Sequence, residues 1–182
     1  MVEFQRIMKA SSYTHEKGEM IKMDVLFHKD ELGYHQRITE IIHADYDHVY
    51  RYLATKQISD WFPQLSFQQI DDVEMLVFDM GEDEPAIQFD ILVKQLNQEI
   101  TFQWDEGVVR IVLEATENGT LLTLEEQMPL NQALEQTAND FVGWYFQVLN
   151  IRTISETGDP APLDMVDFMA LEAETLDVLE NL

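Results

Sequence analysis

The 182-residue chain has no cysteine, which removes disulfides, thiolate metal centres and cysteine nucleophiles together and leaves its compartment without a redox mark. Positive charge is scarce. Eleven lysines and arginines face thirty-five acids, a formal net charge of −24. Such an excess repels phosphate backbones, which proteins hold chiefly through Lys and Arg. It also repels anionic bilayers, whose surface-bound helices carry basic polar faces. Neither nucleic acid nor a membrane is therefore expected as a partner. No stretch approaches the ~20 consecutive apolar residues that a bilayer span requires. Met1 to Ala10 mixes charge with isolated apolar side chains and shows no apolar segment of the signal-peptide kind. The cytoplasm is the expected compartment. The seven glycines are scattered, so neither a phosphate loop nor a dinucleotide fingerprint is present.

What is present suffices for one domain with a sizeable core: 46% of the residues are hydrophobic, in a chain too short for two comfortable domains. The opening thirty residues hold five of the eleven bases and read as an appendage, residues 1–32. Within it Ile21, Met23, Val25 and Phe27 alternate as in a half-buried strand. The core starts near Gly33. Tyr34, Gln36, Ile38, Glu40 and Ile42 form one face of a strand, and Arg37, Thr39, Ile41 and His43 the other; pattern does not choose between them. Asp45 is positioned to cap a helix on which Val49, Tyr50, Leu53 and Ala54 recur, until Trp61-Phe62-Pro63 ends the segment.

Six strands are expected next: Leu65 to Ile70, Val73 to Met80, Ile87 to Leu96, Glu99 to Trp104, Val108 to Thr116 and Thr120 to Met128. Asp71-Asp72, Gly81 through Pro85, Asn97-Gln98, Asp105 through Gly107 and Asn118-Gly119 separate them. Asn-Gly is the strongest of these signals, because both residues tolerate positive φ. Short strands and short turns imply an antiparallel meander. From Pro129 to Ile154 the period changes to that of a helix: Leu130, Leu134, Thr137, Ala138, Phe141, Tyr145, Val148 and Arg152 recur at intervals of three and four. Residues 156–182 read as a linker around Gly158 and Pro160, followed by an acidic, weakly helical tail.

The order of strand, helices, meander and long helix resembles that of the START-like superfamily, which includes the birch pollen allergens. Ile38 through Ala44, Asp45-Tyr46-Asp47-His48-Val49-Tyr50, Leu53 and Trp61-Phe62-Pro63 resemble the opening of the heat shock protein 90 ATPase activator family. Glu99 through Trp104 resembles its central strand, Gly119-Thr120 with Leu121 and Leu124 its last hairpin, and Gly143-Trp144 with Val148 and Ile151 a motif of its final helix. The resemblance spans roughly residues 34 to 155. It implies an α+β helix-grip fold over residues 33–155, a curved antiparallel sheet of six or more strands wrapped around a long C-terminal helix. It implies a cavity between the two, and little about activity.

Within that frame the aromatic residues Trp61, Phe62, Phe89, Phe102, Trp104, Phe141 and Tyr145 are the candidate ligand contacts, since concave apolar spaces with a few polar groups are where small molecules bind. The Tyr145 hydroxyl, the Trp104 indole and whichever of Glu40 or His43 faces inward are candidate polar handles. His15, His28, His35, His43 and His48 show no helical zinc spacing. Asp71-Asp72 and Gly81 through Glu84 lack the ligand alternation of a calcium loop. No serine sits in a nucleophile elbow. Neither metal nor cofactor is expected. The expected function is non-catalytic binding of a small hydrophobic molecule; the alternative is a protein-interaction module, chaperone-associated by resemblance, using its acidic surface or tail. An enzyme of this superfamily would need an acid–base pair that the sequence does not identify. With only Lys94 and Arg110 basic from Leu65 to Leu130, the sheet is expected to expose a negative outer face.

Overall fold

Period-two alternation decides which face of each strand is dry. In Tyr34–Ile42 the residues Tyr34, Gln36, Ile38, Glu40 and Ile42 are buried, and in Gly119–Met128 every second residue from Thr120 to Met128 is buried. The computed structural model describes residues 7–9, 13–14, 20–21, 23–81, 84–161 and 165–182. Lys22, the acidic pair Glu82-Asp83 and most of the first twenty residues lie outside them. The elements are β1 (Ile7–Lys9), β2 (Tyr13–Thr14), β3 (Met20–Ile21), β4 (Asp24–Lys29), β5 (Tyr34–Ile42), α1 (Tyr46–Ala54), a 3-10 turn (Lys56–Asp60), β6 (Leu65–Ile70), β7 (Val73–Phe78), β8 (Ile87–Gln95), β9 (Glu99–Trp104), β10 (Gly107–Thr116), β11 (Gly119–Met128), α2 (Leu134–Thr157) and α3 (Met165–Glu180). Among the described residues nine strands form one curved antiparallel sheet in the order β1-β4-β5-β11-β10-β9-β8-β7-β6, while β2 and β3 pair with each other. This is the helix-grip architecture.

The turns use residues that tolerate left-handed backbone. Asp71 and Asp72, at φ 49° and 66°, make the tight hairpin between β6 and β7. Short carboxylate side chains accept that conformation. At Asn118-Gly119 only Gly119 has positive φ, at 134°, and a Cβ built there would lie 2.2 Å from the Ile42 carbonyl oxygen. Glycine is therefore needed for close approach as well as for backbone freedom.

Asp45 precedes α1 as expected, but its backbone carbonyl accepts from His48 and Val49 at 3.0 Å and its side chain makes no cap bond. The long helix begins later than its periodicity suggested. Pro129 opens a turn closed by Gln132 N–H at 3.2 Å, Leu130 is exposed, and α2 starts at Leu134. It runs unbroken through Gly143 and ends where Gly158, at φ 87°, donates to the Ile154 carbonyl.

Two faces of α2 are buried. One packs on β5 and β11: Phe141 stacks on Phe27 at 5.8 Å, and Gln36 Nε2 donates to the Phe141 carbonyl at 2.8 Å. Arg152, the one charged residue of that periodic series, reaches Glu40 of β5 at 2.7 Å, so the stripe continues there as an ion pair. The other face carries Phe146, which stacks on Phe168 of α3 at 5.6 Å. Leu171, Thr175 and Leu179 bury one row of α3. The tail is thus a helix laid on α2, and β4 pairs along its length with β5, so the sheet crosses the boundary expected between residues 32 and 33.

Phe141→Ala should cost about 3–5 kcal/mol, because it empties a fully buried ring position whose neighbours belong to the sheet. Urea titration checks this, with the exposed Leu96→Ala as a control expected within about 0.5 kcal/mol of the parent.

Candidate functional site

Strand register aligns Phe27 (β4), Gln36 (β5), Glu126 (β11), Val109 (β10) and Phe102 (β9) in one row across the inner face. All five are buried beneath α2. The row is aromatic at both ends and polar in the middle.

At the Phe102 end a cluster of rings surrounds Trp104. Centroid distances from Trp104 are 5.1 Å to Phe89, 5.2 Å to Trp144, 5.8 Å to Phe78, 6.2 Å to Phe62 and 6.3 Å to Phe102. Trp61 joins through Phe62 at 5.8 Å. Its indole donates to the Tyr52 carbonyl at 2.9 Å, and Asn150 of α2 donates to its own carbonyl at 2.6 Å, so this corner is tied to both helices. Phe62, Phe78 and Trp104 are only half-buried, so the cluster reaches solvent beside the 3-10 turn and β7. The buried Trp144 Nε1 has no acceptor among the described residues.

Of the seven aromatic candidates, Trp61, Phe62, Phe89, Phe102 and Trp104 are brought together. Phe141 lies at the opposite end of the row against Phe27, and Tyr145 makes an edge contact with Phe146 on the same helix. Phe78 and Trp144 are members that sequence reasoning passed over. Trp144 lies off the periodic stripe of α2, and only its place beside Gly143 signalled it.

The polar handles also differ from expectation. Glu40 faces inward and His43 is exposed, but Glu40 is engaged by Arg152. Burial still dominates its titration: despite the guanidinium its pKa is pushed up to about 7. Glu126 is the unanticipated group. Its Oε2 accepts from Gln36 at 3.4 Å, its Oε1 has no donor among the described residues, and burial, reinforced by Asp140, holds it well above the usual carboxylate range. Asp140, bonded by Gln132 at 2.8 Å, is raised by burial to about 6. A neutral, buried carboxyl group can donate as well as accept.

On the outer face the cross-strand partners Arg37, Glu125 and Arg110 form a ladder. Arg37 bonds Glu125; Arg110 bonds Glu125 at 2.9 Å and Glu99 at 2.9 and 3.0 Å. Lys94 meets Glu74 at 2.7 Å. The expected negative outer face is therefore interrupted at its centre, where the sheet's few bases are paired with acids.

Folding raises the pKa of Glu40, Asp140 and Glu126, so these three groups together hold more protons in the folded than in the unfolded chain above about pH 4.5. Stability should then fall as pH rises from the ordinary carboxylate range through pH 6 to 7 and beyond. Repulsion at a net charge of −24 acts in the same direction. Glu126→Gln, which removes one titration and keeps the shape, should flatten the decline. The melting temperature measured from about pH 5 to about pH 8 checks this, and a steady rise over that span would contradict it.

Among the described residues no helix is long and apolar enough to cross a membrane. No protein-family model and no curated protein matches the chain. Solved structures do. A conserved protein of unknown function from Enterococcus faecalis, EF2215, is 23% identical over 86% of this chain and 91% of its own, with a TM-score of 0.75. CalU16 from Micromonospora echinospora is 17% identical over 97% and 98%, at 0.60. Aha1 from Colwellia psychrerythraea, solved as a dimer in solution, is 16% identical over 67% and 96%, at 0.55. At these identities the likeness is one of fold, the helix-grip architecture described above.

Proposed function

We propose that the protein binds a small hydrophobic molecule, without catalysis, between the sheet and α2 at the Trp104 cluster. The observation that carries this reading is a group of rings that is apolar, reaches solvent on one side, and holds a buried indole N–H without an acceptor among the described residues. A buried unpaired donor costs about 1–3 kcal/mol, and a ligand carbonyl or hydroxyl accepting from Trp144 would recover it. Glu126, two strands from Phe102 along the inner row and held above the usual carboxylate range by burial, would supply a second polar contact. Likeness of fold to the Colwellia protein, together with Trp144 of the Gly143-Trp144 pair in the cluster, supports placing the chain near the heat shock protein 90 ATPase activators, and a cytoplasmic location is proposed with it. A protein-interaction role for the tail is less favoured, since Leu171, Thr175 and Leu179 face α2 within the same chain.

All three tryptophans of the chain, Trp61, Trp104 and Trp144, belong to this cluster, so occupancy should change the intrinsic fluorescence directly. A panel of fatty acids, sterols, flavonoids and polyketides should contain a compound that shifts the emission saturably. At one hundred times its dissociation constant that compound stabilises the fold by about 2.7 kcal/mol. Trp104→Ala should weaken its binding by at least about tenfold, the loss of a central aromatic contact. A panel with neither a fluorescence change nor a thermal shift would defeat this reading.

A further inference from the structure

The β4–β5 hairpin carries a cluster that the ligand site does not use. His28 and His35 are direct cross-strand partners, and their rings stack with centroids 4.2 Å apart and planes 7° from parallel. Asp30 stands in the connecting turn. Its Oδ1 accepts from the amides of Leu32 at 2.8 Å and Gly33 at 3.2 Å, and it bonds His35 Nε2 at 2.9 Å. A Cβ on Gly33 would lie 2.1 Å from the Met128 carbonyl oxygen, so the turn is seated closely against the end of β11. One ligand atom from each of His28, Asp30 and His35 lies within 4.8 Å of the others. Beside them a groove of about 280 Å³ runs over the outer face, lined among others by Arg37, Val108, Arg110 and Gln127.

We propose that His28, Asp30 and His35 form a site for a divalent late transition metal such as zinc, with its remaining coordination position open to the groove. Two imidazoles and one carboxylate form a nitrogen-rich set that suits zinc, cobalt, nickel or copper, whereas magnesium and calcium prefer oxygen alone. Metal–ligand bonds of about 2.0–2.2 Å put neighbouring donors roughly 3–3.5 Å apart, so small side-chain rotations close the present spacing. Both imidazoles bind in the neutral form, so zinc binding should weaken as pH falls. Three protein ligands and one open position are the pattern of a site that takes an exogenous ligand. Sequence spacing did not show this cluster, because the pairing of residues 28 and 35 exists only in the hairpin register.

The test is calorimetric titration of the full, tag-free chain with zinc chloride, beside magnesium and calcium chlorides. One zinc per chain should bind, with a rise in melting temperature, and cobalt(II) should develop visible d–d bands. His28→Gln and His35→Gln should each weaken zinc binding by at least about tenfold and abolish the cobalt spectrum. The controls His43→Gln and His48→Gln, both outside the cluster, should leave both unchanged, and far-UV circular dichroism verifies that each variant is folded. Zinc affinity unaltered in the folded His28→Gln/His35→Gln double variant, binding of magnesium or calcium as tight as zinc, or no one-to-one zinc binding by the parent would overturn the proposal.

Discussion

The two-sided burial of α2 is the constraint on which the other features depend. Its sheet-facing row, Phe141, Tyr145 and Val148, and its outward row, Val142, Phe146 and Leu149, are both inaccessible. A helix apolar on two faces cannot rest on a flat sheet alone. The sheet curves around one face, and α3 covers the other through Phe168, Leu171 and Leu179. Polar groups inside this sandwich are accepted where α2 itself supplies a partner. Gln36 reaches the Phe141 carbonyl, Glu40 reaches Arg152, and Asn150 reaches both the Trp61 carbonyl and the Ala161 amide. These bonds fix the helix in register over the sheet, where apolar contact alone would let it slide.

The same arrangement separates the molecule's two chemistries. The inner row carries groups whose charge is suppressed by burial, Glu126 above all, beside the aromatic cluster. The outer face of the same strands carries groups whose charge is retained and paired, Arg37, Glu125, Arg110 and Glu99, beside the histidine pair. Adjacent residues on one strand therefore belong to opposite regimes: Glu125 is lowered by its arginines while Glu126 is raised by desolvation. That contrast follows from the two-residue period of the strand.

Much of the fold was legible because strand alternation and turn chemistry are local. Leu65–Ile70 and Glu99–Trp104 were readable to the residue, with Asp71-Asp72 and Asn97 marking the reversals. What was not legible depends on distant partners. Both alternations of β5 mix polar with apolar residues, and Glu40 is accepted on the inner face where Arg152, 112 residues away, meets it. The tail reads as weakly helical because its buried row has Thr175 between Leu171 and Leu179, which breaks the apolar pattern without breaking the packing. In the candidate site the aromatic strand residues were recognisable by type. Trp144 sat off the apparent stripe because the sheet-facing surface of α2 is wider than that stripe and reaches the β9 rings as well, and Glu126 looked like one more surface acid until β11 turned it inward.

Native-state hydrogen exchange tests the central role of α2 most directly. If the helix is gripped on both sides, amides from Phe141 to Ile151 should exchange only through global opening, with the same free energy and denaturant dependence as those of β5, β10 and β11. Amides at the exposed end of β8, near Val93, should open at lower energy. Exchange of the α2 amides by a separate, lower-energy opening while the β10–β11 hairpin stays protected would contradict the account, because the sheet would then hold its shape without the helix.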